Sequence, residues 1–61
     1  MNMHLVTRYR IEYGNKYLGP NGFTTDIDDC FEYRSESEAN DDADEFGGEV
    51  VKCQRFSNIP Y

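Results

Sequence analysis

Residues 5–13 alternate without a break. Leu5, Thr7, Tyr9, Ile11 and Tyr13 fall on one side of an extended chain, and Val6, Arg8, Arg10 and Glu12 fall on the other. Period-two alternation rich in β-branched and aromatic residues predicts a half-buried strand. Gly14-Asn15 follows, a pair suited to a two-residue type II′ hairpin, and Lys16-Tyr17-Leu18 runs back as a short second strand. Gly19-Pro20-Asn21-Gly22 is a turn, because proline fixes φ and glycine takes positive φ at no steric cost. Phe23-Thr24-Thr25 extends or caps the sheet, and Asp26-Ile27-Asp28-Asp29 reads as a loop or a single helical turn. Cys30 to Arg34, with Phe31 and Tyr33 on one face, is a candidate third strand.

At Ser35 the period changes. Ser35-Glu36-Ser37-Glu38 fits a capping box, in which the serine accepts from the backbone three residues on and the glutamate reaches back. Ala39, Ala43 and Phe46 then recur at i, i+4 and i+7, a narrow apolar stripe expected to lie buried on a sheet. Gly47-Gly48 supplies a left-handed C-cap. Residues 49–56, with Val50, Val51, Cys53 and Phe56, form the last strand, and residues 57–61 form a tail expected to fray. No linker or repeat divides the chain. The prediction is one α+β domain over residues 1–61: a small antiparallel sheet of three to four strands with one helix packed on one face, in the order β-β-(β)-α-β.

Charge changes this picture more than composition does. The chain has 61 residues and a net charge of −6. Residues 26–49 hold eleven acids against Arg34 alone, a net −10, while the segments on either side each carry +2. Set on a helical wheel, Glu38, Asp41, Asp42, Asp44 and Glu45 cover an arc from about 80° to 240°, opposite the alanine stripe at about 280° to 340°. Six acids along α-helical rise, Glu36 included, give one carboxylate per ~2.3 Å, close to the ~1.7 Å per charge of duplex DNA. The arrangement costs helix stability. Glu38–Asp42, Asp41–Asp44 and Asp41–Glu45 are like-charge neighbours, and Asp44 and Glu45 stand at the end of the helix that favours cations. Such a face serves either solubility alone or docking on a basic surface of another protein.

Catalytic chemistry finds little support. His4, the single histidine, reads as a strand-end surface residue, and no nucleophile–base set or phosphate-binding loop is present. Asp26, Asp28 and Asp29 lack the central glycine and distal glutamate of an EF-hand loop. No cofactor and no metal are therefore expected, and the protein is read as a non-enzyme. Cys30 and Cys53 are expected to be free thiols acting as small core residues, with a disulfide or a reactive or metal-binding role as the alternatives. The tyrosines suit half-buried sheet positions better than a base-stacking platform, since the acidic block repels polynucleotide. Arg8 and Arg10 share one strand face and are expected to pair with carboxylates of the same molecule. Neither direct nucleic-acid binding nor membrane docking fits the acidic balance. With no signal-like apolar run near the N-terminus, a cytoplasmic monomer is expected.

The run Tyr17-Leu18-Gly19, then Gly22-Phe23-Thr24-Thr25-Asp26-Ile27, then Cys30 to Tyr33, then Ser35-Glu36-Ser37-Glu38-Ala39 resembles a pattern of very small bacteriophage-encoded proteins. That pattern reads Tyr-Leu-x, Gly-aromatic-Thr, Ala-x-x-Phe, Ser-x-x-Glu-Ala, helix, strand. Here Cys30 stands at the alanine and Tyr33 at the phenylalanine. The resemblance covers about residues 9–53 and implies a sheet carrying one helix, without carrying over any site residue. In size and acidity the chain is also similar in style to phage anti-CRISPR proteins, especially small acidic inhibitors of type I surveillance complexes. That similarity implies a DNA-mimicking inhibitor whose acids occupy a basic nucleic-acid-binding surface, such as a CRISPR effector subunit in the host cytoplasm. The candidate contact residues are Asp26, Asp28, Asp29, Glu32, Glu38, Asp41, Asp42, Asp44 and Glu45. The competing expectation is a small accessory or structural module that holds its partner through the sheet face or an edge strand.

Overall fold

A computed structural model describes residues 3–58. Strand β1 spans His4–Tyr13, β2 Lys16–Gly19 and β3 Gly22–Thr24. A 3-10 turn at Ile27–Asp29 precedes helix α1, Glu36–Phe46, and the chain returns in β4, Glu49–Ser57. The four strands form one antiparallel sheet in the order β3-β2-β1-β4. The expected α+β architecture is thus what the chain adopts. Its third strand is Gly22–Thr24, however, and Cys30 to Arg34 is not a strand. The segment divides between two strands: Tyr33 exchanges backbone bonds of 2.9 and 2.8 Å with Tyr9 of β1, while the Phe31 N–H donates to the Leu18 carbonyl of β2, so no continuous ladder forms on either.

The turn chemistry accounts for the local order. Gly14 sits at φ 61°, and among the described residues none other than glycine has positive φ, as a type II′ Gly-Asn turn requires. At the end of α1, Gly47 has φ 91° and ψ 174°, so the helix stops at a positive-φ glycine with an extended ψ rather than a left-handed helical one. Gly48, at φ 100°, lies so close to β1 that a Cβ there would come within 2.8 Å of both the Glu12 carbonyl oxygen and Ile11 Cγ2. This bare backbone lets the chain pass from α1 into β4 against the sheet.

β4 pairs with β1 along its whole length, from His4↔Ser57 to Glu12↔Glu49. Partners share a face. One face carries Leu5, Tyr9, Ile11 and Tyr13 with Phe56, Lys52, Val50 and Leu18; the other carries Val6, Arg8, Arg10 and Glu12 with Arg55, Cys53, Val51, Glu49 and Tyr17. Helix α1 lies on the first face, packed on β1 and β4. There Ile11, Leu18 and Ala39 are buried, a contribution of roughly 2 kcal/mol for each large aliphatic side chain.

Two helix expectations need correction. Ala39 is fully buried and Ala43 half-buried, but Phe46 is 53% exposed. It is the last residue of α1, and its ring stays largely in solvent beyond the helix–sheet contact made at Ala39. The capping box does not form either. Ser35 stands at the N-cap with extended backbone, yet its hydroxyl is engaged with the Ser37 hydroxyl at 2.8 Å. Ser57, assigned to a frayed tail by its sequence, is the buried last residue of β4, because it pairs with His4. Asn58 follows the strand as an exposed residue, and residues 59–61 of that tail lie outside the described residues.

Candidate functional site

The acids of the central block fall into two groups. Asp26, Asp28 and Asp29 surround the 3-10 turn, which packs against β2, whereas the helix acids ride on β1 and β4. All three turn acids are exposed. Asp26 is the turn's N-cap: its carboxylate accepts from the Asp28 N–H at 3.0 Å, and its own N–H donates to Thr24 Oγ1 at 3.1 Å. Gly19 lets the turn come close, since a Cβ there would meet the Asp29 carbonyl oxygen at 2.5 Å. Among the described residues no group of three or more His, Cys, Asp or Glu side chains is arranged to hold a metal ion.

Glu32 belongs to the open face of the sheet. Arg55 donates to it through Nε at 2.6 Å and Nη2 at 2.7 Å, a bidentate pair, and Arg8 Nε stands 3.6 Å away. The Arg55 hydrogen bonds hold the Glu32 carboxyl below its usual range. Arg8, with its side chain 8% exposed, flanks buried Val6, whose cross-strand partner is Arg55, so the ion-paired cluster lies over the one apolar residue buried on this face. Next along, Arg10 Nε donates to Glu12 at 2.8 Å and its guanidinium lies 5.4 Å from the Tyr17 ring centre. That bond raises the Arg10 pKa. The arginines therefore do pair with carboxylates of the same chain, and Glu32 is occupied by them.

Cys30 and Cys53 are both free and both half-buried rather than core. They line one shallow groove of about 460 Å³ with Arg10, Phe31 and Arg55. Cys30 Sγ donates to the Ile27 carbonyl at 3.1 Å, and Cys53 Sγ to the Arg8 carbonyl at 3.3 Å. Burial pushes the Cys30 thiol up. His4 stands exposed at the start of β1.

On α1 the acids are arranged as the wheel places them. Glu36, Glu38, Asp41, Asp44 and Glu45 are exposed, and among the described residues no salt bridge reaches any of them. Asp42 differs. It lies at the margin of the acidic arc and is half-buried, with Oδ2 accepting from the Tyr33 hydroxyl at 2.5 Å. Burial first, and then this bond to Asp42, raise the Tyr33 pKa. Tyr33 also edges onto the Phe31 ring, 5.8 Å away. The loop before the helix is thereby tied to the helix and to β1 at once. Nothing in the sequence marks Tyr33 as the anchor of Asp42, since the pair is nine residues apart and meets only after the sheet forms.

The site is a convex acidic helix side on a sheet platform, with no enclosed pocket at its centre. No helix among the described residues is long and apolar enough to cross a membrane. Comparison with protein-family models, with curated proteins and with solved structures finds no match for this chain.

Proposed function

We propose that this protein is a stoichiometric inhibitor of phage anti-CRISPR type. In this reading it docks its acidic helix face on a basic nucleic-acid-binding surface of another protein, mimics phosphates and blocks DNA recognition. The partner in this reading is a subunit of a CRISPR effector complex in the host cytoplasm, and no catalytic step is involved. The observation that supports it is the helix itself: five exposed carboxylates on α1 make no salt bridge among the described residues, while the open-face acids Glu12 and Glu32 are paired. A helix that forgoes salt bridges at a cost to its own stability leaves its charge for a partner. Contacts come from Glu38, Asp41, Asp44 and Glu45, with Asp42 held in place by Tyr33; Asp26, Asp28 and Asp29 form a second acidic contact at the β2 end.

The test is to titrate the protein into a purified type I surveillance complex in the presence of its target duplex. Displacement of DNA near one-to-one stoichiometry, weakening steeply as salt is raised, supports the reading. DNA binding that is unchanged at low salt overturns it. A second reading has its own observation. Leu5 and Phe56 pair across β1 and β4 and are both exposed, which favours a module that holds a partner through the sheet, with the acids serving solubility.

A further inference from the structure

β4 is a nine-residue edge strand, and among the described residues no strand lies beyond it. Which of its backbone groups face outward follows from its neighbours. Tyr9 exchanges both its backbone bonds with Tyr33, so its N–H and C=O point away from β4. In an antiparallel ladder its partner, Lys52, then points away from β1 as well. By alternation Val50, Gln54 and Phe56 do the same. The Phe56 carbonyl, which accepts from Arg55 Nη1 at 3.4 Å, is in phase with this.

We propose that β4 pairs antiparallel with β4 of a second copy of this chain, about a two-fold axis through Cys53, in place of the monomer expected from the sequence. The argument is that this register satisfies several independent conditions together. A two-fold axis normal to the sheet keeps each residue on its own face, so outward-pointing residues meet outward-pointing residues only if the axis passes through a residue. An axis through Cys53 pairs the whole strand: Val50 with Phe56 and Lys52 with Gln54 of the second copy are the hydrogen-bonded pairs. An axis through Lys52 sets two lysines directly opposite each other and shortens the overlap. With the axis at Cys53, Glu49 lies diagonal to Arg55 of the second copy, and the two Cys53 residues form a close, non-hydrogen-bonded pair.

The apolar surface fits the same operation. Helix α1 covers the end of the face that holds Ile11 and leaves Leu5 and Phe56, 55% and 62% exposed, at the other end. The two-fold sets Phe56 against Val50 of the second copy, at the end of the sheet where that copy's helix stops. Exposed apolar residues on one half of the strand thus meet the helix-covered half of its mate. Both copies of α1 then lie on one side of a continuous sheet. The pairing does not depend on the inhibitor reading.

Sedimentation equilibrium from micromolar to millimolar concentration tests the proposal. Wild type is expected to pass from monomer to dimer. Gln54→Pro removes an outward N–H and no bond to β1, so it is expected to keep the circular dichroism of the fold and to raise the dimer dissociation constant at least ~10-fold. An arm without any change in the backbone of β4 uses oxidised glutathione. One Cys53 thiolate displaces a glutathione thiolate to give a mixed disulfide, and the second Cys53 displaces the other, so two protein thiols are oxidised as one glutathione disulfide is reduced to two thiols. Cys30→Ser is expected to give a covalent dimer and Cys53→Ser none. A wild type that stays monomeric throughout, a Gln54→Pro that dimerises as well as wild type, or cross-linking that survives Cys53→Ser overturns the proposal. The first of these outcomes leaves the edge to a strand of a different protein.

Discussion

On the open face of the sheet, Glu12 and Glu32 are held by arginines at 2.6–2.8 Å, whereas the exposed carboxylates along α1 meet no cation among the described residues. The same chemical group does two different things on the two sides of one sheet. On the open face it closes a charged cluster over Val6 and ties the 26–34 segment to β1 and β4. On the helix it repels its neighbours and faces solvent. The net charge of −6 is therefore not spread evenly over the surface. Much of it stands on α1, on the other side of the sheet from Arg8, Arg10 and Arg55. Solubility alone does not require that separation, because mixing lysine into the helix would serve it equally and strengthen the helix.

The separation depends on how α1 is seated, and the largest expected effect comes from unseating it. Gly48→Ala puts a methyl group against the Glu12 carbonyl and Ile11 Cγ2 in a positive-φ backbone, and a loss of about 2–3 kcal/mol is expected in denaturant unfolding. The next effect comes from the open face. Glu32→Gln breaks the bidentate Arg55 contact and the approach to Arg8, with an expected loss of roughly 1 kcal/mol once solvent screening is allowed for. The pH dependence has a fixed sign. Because the folded Glu32 carboxyl titrates below its unfolded value, its stabilisation is complete above the unfolded pKa and fades as pH falls through the lower folded one. Wild type and Glu32→Gln should therefore differ in melting temperature at neutral pH and converge in acid. The smallest effect is expected on the helix and has the opposite sign. Glu45→Lys puts a cation in the last turn and relieves repulsion with Asp41, for a gain of about 0.5 kcal/mol. A loss of stability there would show that the helix acids are structural after all and would erase the contrast between the two sides.

How much of this could be read from the sequence follows from the range of the interactions. The hairpin at Gly14, the alternation through Ile11, the alanine at the helix–sheet contact and the glycines that end α1 are local, and each was legible. The acidic arc was legible too, since helical periodicity alone sets it. The misreadings came where a local pattern lost to a distant neighbour. Phe31 and Tyr33 alternate as strand residues do, but Tyr33 bonds to Tyr9 of β1 and Phe31 to Leu18 of β2, so the segment joins neither strand as a ladder. Phe46 fits the apolar stripe, but it ends the helix and its ring stays largely exposed. Ser35 fits a cap, yet Ser37 offers its hydroxyl a nearer partner. The pairing of Glu32, one of the candidate contact acids, with Arg55 was not legible either, because the two are 23 residues apart.

The central claim is that the helix acids exist for a basic partner and the open-face acids for the fold. The most direct measurement compares wild type, Asp41→Lys/Asp44→Lys/Glu45→Lys and Glu32→Gln as inhibitors of DNA binding by a purified type I surveillance complex. The triple variant spares Asp42 and its bond to Tyr33, so it should stay folded. The expected result is about a 100-fold or greater loss of potency for the triple variant and little change for Glu32→Gln when both are folded. Equal potency of the triple variant and wild type would contradict the claim.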